Sequence, residues 1–102
     1  MCGAPDQAAK LPPGTDLSKE TVLTGRVVAG GEPVGGAFVR LLDGTGEFTA
    51  EVVASASGDF RFFAAPGTWT VRALSRAGNG ETELVASAPG LHRVEVAVAQ
   101  GG

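Results

Sequence analysis

The chain has 102 residues, with eight basic and eleven acidic side chains and a net charge of −3. This length allows one domain with one core, and 43% apolar against 19% charged residues excludes a chain that is disordered throughout. The acidic balance, without a basic run, argues against nucleic acid as a partner, and no apolar stretch is long enough to span a membrane.

Residues 1–18 predict a flexible arm. Five of these 18 residues are Pro or Gly, and their apolar residues follow no regular period. The opening Met1-Cys2-Gly3 lacks the basic start and the apolar stretch of a secretory signal. We therefore expect a cytoplasmic protein.

Residues 19–100 predict one all-β domain, a seven-stranded Greek-key β-sandwich. Short apolar segments recur about every 8–12 residues with turn residues between them, which is typical of sandwiches. No long segment shows the 3.6-residue apolar stripe of a helix, although a turn is expected near residues 16–20. Asn79-Gly80 is the strongest hairpin signal. The expected strands are 21–29, 37–43, 48–56, 59–64, 68–75, 81–86 and 92–99.

Alternation along these strands assigns the two sides of each sheet, since successive side chains point in opposite directions. One phase is apolar and predicts the core: Leu23, Val27, Val39, Leu41, Phe48, Ala50, Val52, Phe60, Phe62, Trp69, Val71, Ala73, Val94, Val96 and Val98. The opposite phase carries the charges and should face water: Arg26, Arg40, Glu51, Arg61, Arg72, Arg93 and Glu95.

The water-facing phase also contains large apolar side chains, including Leu42. Together with the arginines they form a mixture that is favoured at the centres of protein interfaces. The interface candidates are Phe38, Arg40, Arg61, Phe63, Arg72 and Leu74. The alternative is a β-bulge that shifts the phase within one strand and returns Phe38 or Phe63 to the core.

Cys2 is the one cysteine, so the chain contains neither an internal disulfide nor a cysteine zinc site. Removal of Met1 would place its thiol beside the terminal amine, whose positive charge favours the reactive thiolate. Such a thiol could accept a sulfur atom or pair with another chain. The alternative is a tail residue without a role.

Other chemical signals are weaker. Gly101-Gly102 matches the end of ubiquitin-like sulfur carriers, but those proteins need a central helix that this sequence does not predict. The loop 43–47 has too few acids for a calcium site and predicts a β-turn, and His92 has no acid–base partner in view. We expect no catalytic residue, no metal site and no cofactor.

The segments TGRVV (24–28), PVGGAFV (33–39), SGDFRF (57–62) and PGTWTV (66–71) resemble carboxypeptidase regulatory-like and transthyretin-like β-sandwich modules. Residues 1–3, 19–26, 36–43 and 48–55 are similar to a small actinobacterial family of unknown function. That resemblance implies genes that lie beside a rhodanese-type thiosulfate sulfurtransferase. Hydroxyisourate hydrolases of the transthyretin type use several active-site histidines, whereas this chain has one.

The resemblance predicts a non-enzymatic accessory or binding protein of sulfur metabolism, with a rhodanese-type sulfurtransferase as partner and Cys2 as candidate sulfur acceptor. The alternative is a sandwich that serves as an interaction or scaffold module, in which Cys2 has no role. Either reading allows a homo-oligomer. An enzyme whose site forms only on oligomerisation is the third alternative.

Overall fold

The computed structural model describes residues 14–99, which form two β-sheets of four strands each. These residues contain no helix, and so none that could cross a membrane. The strands are β1 (Thr21–Ala29), β2 (Glu32–Pro33), β3 (Phe38–Leu42), β4 (Phe48–Val53), β5 (Asp59–Ala64), β6 (Gly67–Ser75), β7 (Gly78–Ala86) and β8 (Gly90–Ala97).

Sheet A is organised around β1, which is paired along both of its edges. β5 runs antiparallel to it, and β8 runs parallel to it on the other edge. The short β2 continues the β5 edge, because Val28 pairs with both Pro33 and Ala97. Sheet B has the order β4-β3-β6-β7, with all neighbours antiparallel.

The all-β, two-sheet architecture confirms the sequence prediction, while the count of seven strands is not confirmed. The structure has one strand more than predicted. The additional strand is β2, whose two residues are too few to produce an alternating pattern. Glu20 N–H donates to the Asp16 carbonyl at 2.8 Å, so the turn before β1 is present as expected. Most of the proposed arm, residues 1–13, lies outside the described residues.

Asn79-Gly80 is not the hairpin turn, and this prediction is wrong. Ser75 pairs with Gly78 across a two-residue loop, and the Ser75 hydroxyl donates to the Gly78 carbonyl at 3.0 Å. Gly80 lies within β7, where a Cβ atom would collide with the Ala97 carbonyl oxygen. The glycine therefore permits a close approach of β8 rather than a turn.

The core lies between the sheets and follows the predicted phase, with the Phe60 and Phe62 rings 6.1 Å apart. Its buried members include Leu23, Val27, Val39, Leu41, Val52, Phe60, Phe62, Val71, Ala73, Val96 and Val98. Ala50, Trp69 and Val94 are partly buried against this cluster. Trp69 also donates its indole N–H to the Ala65 carbonyl at 2.9 Å.

The prediction that Phe48 lies in the core is wrong, because 63% of the residue is exposed. The register between β3 and β4 shifts after the Leu41–Ala50 pair, so that Leu42 pairs with Phe48 and Thr49 is the extra residue of a bulge. The bulge reverses the phase at the start of β4. Leu42, expected in water, is buried between its pairing partners Phe48 and Thr70.

Gly25 provides a test of the packing between β1 and β8. A Cβ atom there would overlap the Val94 carbonyl oxygen and the Phe60 ring, so we expect Gly25→Ala to cost about 1–3 kcal/mol or more. The control is Gly44→Ala in an exposed turn, where the nearest atom to the added Cβ is 3.7 Å away. Urea denaturation measures both. Equal stabilities for the two variants would contradict the close approach.

Candidate binding surface

The outer face of sheet B carries a row of apolar side chains at one end. Phe38 on β3 pairs with Val53 on β4 and with Leu74 on β6, so the three side chains lie side by side. Phe38 is 51% exposed and Val53 39%, whereas Leu74 is half-buried. We call Val53, Phe38 and Leu74 the apolar row.

A row of charges crosses the same face two residues further along the strands. Arg40 and Arg72 lie directly opposite each other on β3 and β6, an arrangement that repels. Each arginine is paired with a glutamate on its other side: Arg40 Nε lies 2.6 Å from Glu51 Oε2, and Arg72 Nη2 lies 3.0 Å from Glu81 Oε1. We call these four residues the ion-pair row. Its charges cancel, although each exposed pair contributes only about 0–1 kcal/mol to stability.

An open groove of about 650 Å³ adjoins the apolar row. Phe38 and Leu74 contribute its largest apolar side chains, and the tight β6–β7 turn closes one side. Gly35 lies so near the Ala56 backbone that a Cβ atom would be 2.5 Å from its carbonyl oxygen, and Gly36 has a φ of +73°. The groove is lined by Val34, Gly35, Gly36, Phe38, Leu74, Ser75, Arg76, Ala77 and Asn79.

The structure divides the predicted interface residues between two faces. Phe38, Arg40, Arg72 and Leu74 share the outer face of sheet B, but Phe63 belongs to sheet A together with Arg61. The bulge alternative does not apply to the two phenylalanines, because Phe38 and Phe63 are 51% and 49% exposed. A single patch containing all six residues is therefore wrong.

The prediction that Arg61 faces water is also wrong, because only 8% of the residue is exposed. Alternation places it correctly on the outer side of sheet A, opposite Thr24. Val22, on the same side of the sheet, is 0% exposed. This part of the sheet is therefore covered, and the arginine stem can lie along apolar surface there.

A second depression, of about 410 Å³, lies over the charged part of sheet A. Arg26 and Asp59 approach to 3.5 Å within it, and Arg93 and Glu95 add one charge of each sign. Two arginines and two acids carry no net charge, so the depression has no excess of positive charge to concentrate anions. We therefore assign no ligand to this depression.

The remaining sequence candidates lie away from the groove or outside the described residues. Cys2 and Gly101-Gly102 are among the latter. His92 Nε2 lies 2.8 Å from the Ala88 carbonyl oxygen, which can only accept, so the imidazole donates there. Within residues 14–99, no three His, Cys, Asp or Glu side chains come together as a metal site.

The loop after β3 is a β-turn, as predicted, closed by Gly46 N–H donating to the Asp43 carbonyl at 2.9 Å. The Asp43 carboxylate accepts from the Thr45 hydroxyl at 2.6 Å and from the backbone N–H of Glu47 at 3.0 Å. These hydrogen bonds, with the Thr45 hydroxyl first, lower the pKa of Asp43 below its ordinary value of 3.8. The carboxylate therefore serves the turn.

Comparison with known proteins shows the family. Residues 2–98 match the family described as "Protein of unknown function (DUF1416)", and the chain belongs to it. It is 65% identical over 99 residues to the uncharacterised protein Rv0814c of Mycobacterium tuberculosis, covering 96% of this chain and 99% of that one. An uncharacterised protein of Mycolicibacterium smegmatis is 71% identical over 90 residues, covering 87% of this chain and all of that one.

Two solved structures share the fold. A DUF3823 protein of Parabacteroides merdae has a TM-score of 0.61 at 17% identity, covering 81% of this chain and 47% of that one. The 5-hydroxyisourate hydrolase of Klebsiella pneumoniae has a TM-score of 0.60 at 21% identity, covering 80% and 92% of the two chains. At these identities the similarity concerns architecture alone, since one fold hosts many functions. The chain thus has a transthyretin-like fold.

The Asp43 turn predicts a pH-dependent effect on stability. Because the pKa is lowered in the folded state, the carboxylate stabilises the fold above pH 3.8 and loses this effect as the pH falls through the folded value. We expect Asp43→Ala to melt below the wild type at pH 7 and the difference to shrink below pH 3.8. Calorimetry across this range, with Asp43→Asn as the uncharged control, measures it. A difference independent of pH would contradict the role of the charge.

Proposed function

We propose that this DUF1416 protein is a non-enzymatic, cytoplasmic accessory protein that binds a rhodanese-type sulfurtransferase through the groove and the apolar row of sheet B. The observation that carries the proposal is the half-exposed Phe38 beside Leu74 at the edge of an open, largely apolar groove. Apolar side chains left in water beside a concave surface are typical of a docking site.

The composition of this face supports binding to a protein. Aromatic and arginine side chains are enriched at interface centres, and the Phe38 pair lies two residues along the strands from the pair of Arg40 and Arg72. Both arginines lie within 3.0 Å of a glutamate, which favours one orientation of each side chain before a partner arrives. Preorganised side chains reduce the entropy that binding must overcome.

The proposed partner rests on the family resemblance, which implies genes that lie beside a rhodanese-type sulfurtransferase. Such an enzyme carries a persulfide on its active-site cysteine. The Cys2 thiolate would attack the outer sulfur of that persulfide, so that a new sulfur–sulfur bond forms on Cys2 while the bond on the enzyme breaks. The enzyme cysteine leaves as a thiolate, and no external oxidant or reductant is consumed.

The alternative is an interaction or scaffold module that uses the same surface and has no need of Cys2. The half-exposed apolar row favours docking in either case, because it lies on the folded domain and not on residues 1–13. The two readings differ in one respect only, which is whether a sulfur atom moves to Cys2 after docking.

Binding can be tested with a rhodanese-type sulfurtransferase of the same organism, using titration calorimetry. Leu74→Asp places a charge beside the groove, and we expect it to weaken binding by at least about tenfold, or ~1.4 kcal/mol. Asn79→Trp fills the groove from an exposed position and should act in the same way without disturbing the core. Circular dichroism verifies the fold of each variant.

Phe63→Glu is the matched control, since Phe63 is as exposed as Phe38 but lies on sheet A. It should bind like the wild type. Equal weakening by Phe63→Glu and Leu74→Asp would remove the assignment to the groove. The absence of binding by the wild type would remove the sulfurtransferase as partner.

Sulfur transfer is tested separately by mass spectrometry. After incubation with the sulfurtransferase and thiosulfate, the wild type should gain the mass of one sulfur atom on Cys2. Cys2→Ser should show no gain and should still bind the enzyme, because the docking surface is intact. Binding without any gain in the wild type would establish the scaffold alternative instead.

A further inference from the structure

A second surface lies on the outer face of sheet B where β4 forms the edge, and it shares Phe38 and Val53 with the apolar row. Phe48 is 63% exposed there, and Val53 and Phe38 are also exposed. These three are half of the six large apolar side chains that are exposed within residues 14–99. All three lie on two neighbouring strands, which we call the β3–β4 face.

We propose that the β3–β4 face binds a second copy of this chain, about a two-fold axis that runs parallel to the strands between β3 and β4. The proposal does not depend on the proposed function. Self-association is expected because the face is complementary to itself. A two-fold axis in this position places β3 of one copy over β4 of the other, so each residue meets the copy of its own cross-strand partner.

With this axis, the register between β3 and β4 would produce three rows of contacts between the two copies. Phe38 would lie against Val53 of the second copy, and the exposed Phe48 would lie over the second copy's Leu42, which is already buried in its own chain, so this row gains chiefly from covering Phe48. Between them, Arg40 would lie against Glu51 of the second copy, because Arg40 and Glu51 are cross-strand partners. Apolar residues meet apolar residues, and each charge meets its opposite.

Two other two-fold axes on this face are unfavourable. An axis between β3 and β6 would oppose Arg40 to Arg72 and Glu51 to Glu81 of the second copy. Like charges brought together across an interface are costly. An axis perpendicular to the strands at the ion-pair row would oppose each charge to its own copy.

An axis between β6 and β7 matches charges but not apolar groups. It would set Arg72 against Glu81 of the second copy, yet it would also bury Leu74 against Asn79. It would leave Phe48 and Val53 in water, since both belong to β4 at the far edge. Of these axes, the β3–β4 axis is the one that both matches the charges and covers Phe38, Phe48 and Val53, whereas Val85 on β7 stays outside it.

The proposed dimer would cover Phe38 and Val53, so it would compete with a partner for part of the apolar row, while the β6–β7 side of the groove stays uncovered. β4 is the edge of sheet B, so nothing of the second copy would lie over β6 and β7. Two strands of five and six residues form a small interface, and interfaces below about 1,200 Å² are typical of weak, transient association. We therefore expect a dimer that appears at protein concentrations on the order of 0.1 mM.

The symmetry can be tested by reversing the charges of Arg40 and Glu51 and measuring dimerisation by sedimentation equilibrium. Arg40→Glu alone makes the row acidic on both copies, and Glu51→Arg alone makes it basic on both, so each variant should dimerise at least about tenfold more weakly than the wild type. An equal mixture of the two variants should recover association, because each new charge then faces its opposite on the other chain.

Arg72→Glu is the matched control: the same substitution in the same row, but outside the β3–β4 face. It should associate like the wild type. Phe48→Ser, at an exposed position, should also abolish the dimer while leaving the melting temperature nearly unchanged. A wild type that remains monomeric at millimolar concentration, or a mixture that associates no better than its components, would overturn the proposal.

Discussion

The structure depends on the double pairing of β1. Residues Thr21 to Arg26 are paired with β5 on one edge and with β8 on the other, so the strand has a fixed position and a fixed orientation. Leu23 and Val27 are then held in the core, where both are fully buried. The parallel β8 can approach only because Gly25 has no side chain. The registers of β5 and β8 against β1 then determine which side chains of these strands face the core and which face outward.

Sheet B is held differently, and the difference explains why the exposed apolar side chains collect there. Its edges are β4 and β7, and its outer face carries the ion-pair row at the centre. On sheet A, by contrast, Val22 and Arg61 are covered. One face of the sandwich is thus partly closed, whereas the other offers both a groove and a flat, self-complementary surface.

Alternation predicted most of the core, since Val39, Leu41, Val71 and Ala73 lie in long strands whose two faces differ in polarity. It failed where the period of two is interrupted, as at Phe48, where the bulge inserts one residue. Gly80 shows a different limit. A glycine that allows a close approach has the same sequence signature as a glycine in a turn, and only the position of Ala97 distinguishes them.

The binding surface was harder to predict than the core. Alternation states on which side of a strand a residue lies, but not in which sheet the strand is placed, so Phe38 and Phe63 could not be separated. Nor does it state whether the outer side is covered, which is why Arg61 was expected in water. The ion pairs of Arg40 and Arg72 depend on registers between strands that are distant in sequence.

The bulge in β4 has a consequence for the behaviour of the protein at high concentration. A regular edge strand exposes a row of backbone donors and acceptors to which further strands can add without limit, which leads to aggregation. The extra Thr49 interrupts that row and increases the local twist, and Glu51 adds a charge to the same edge. Both features disfavour the addition of further strands at this edge, even though apolar side chains such as Phe48 are exposed beside it.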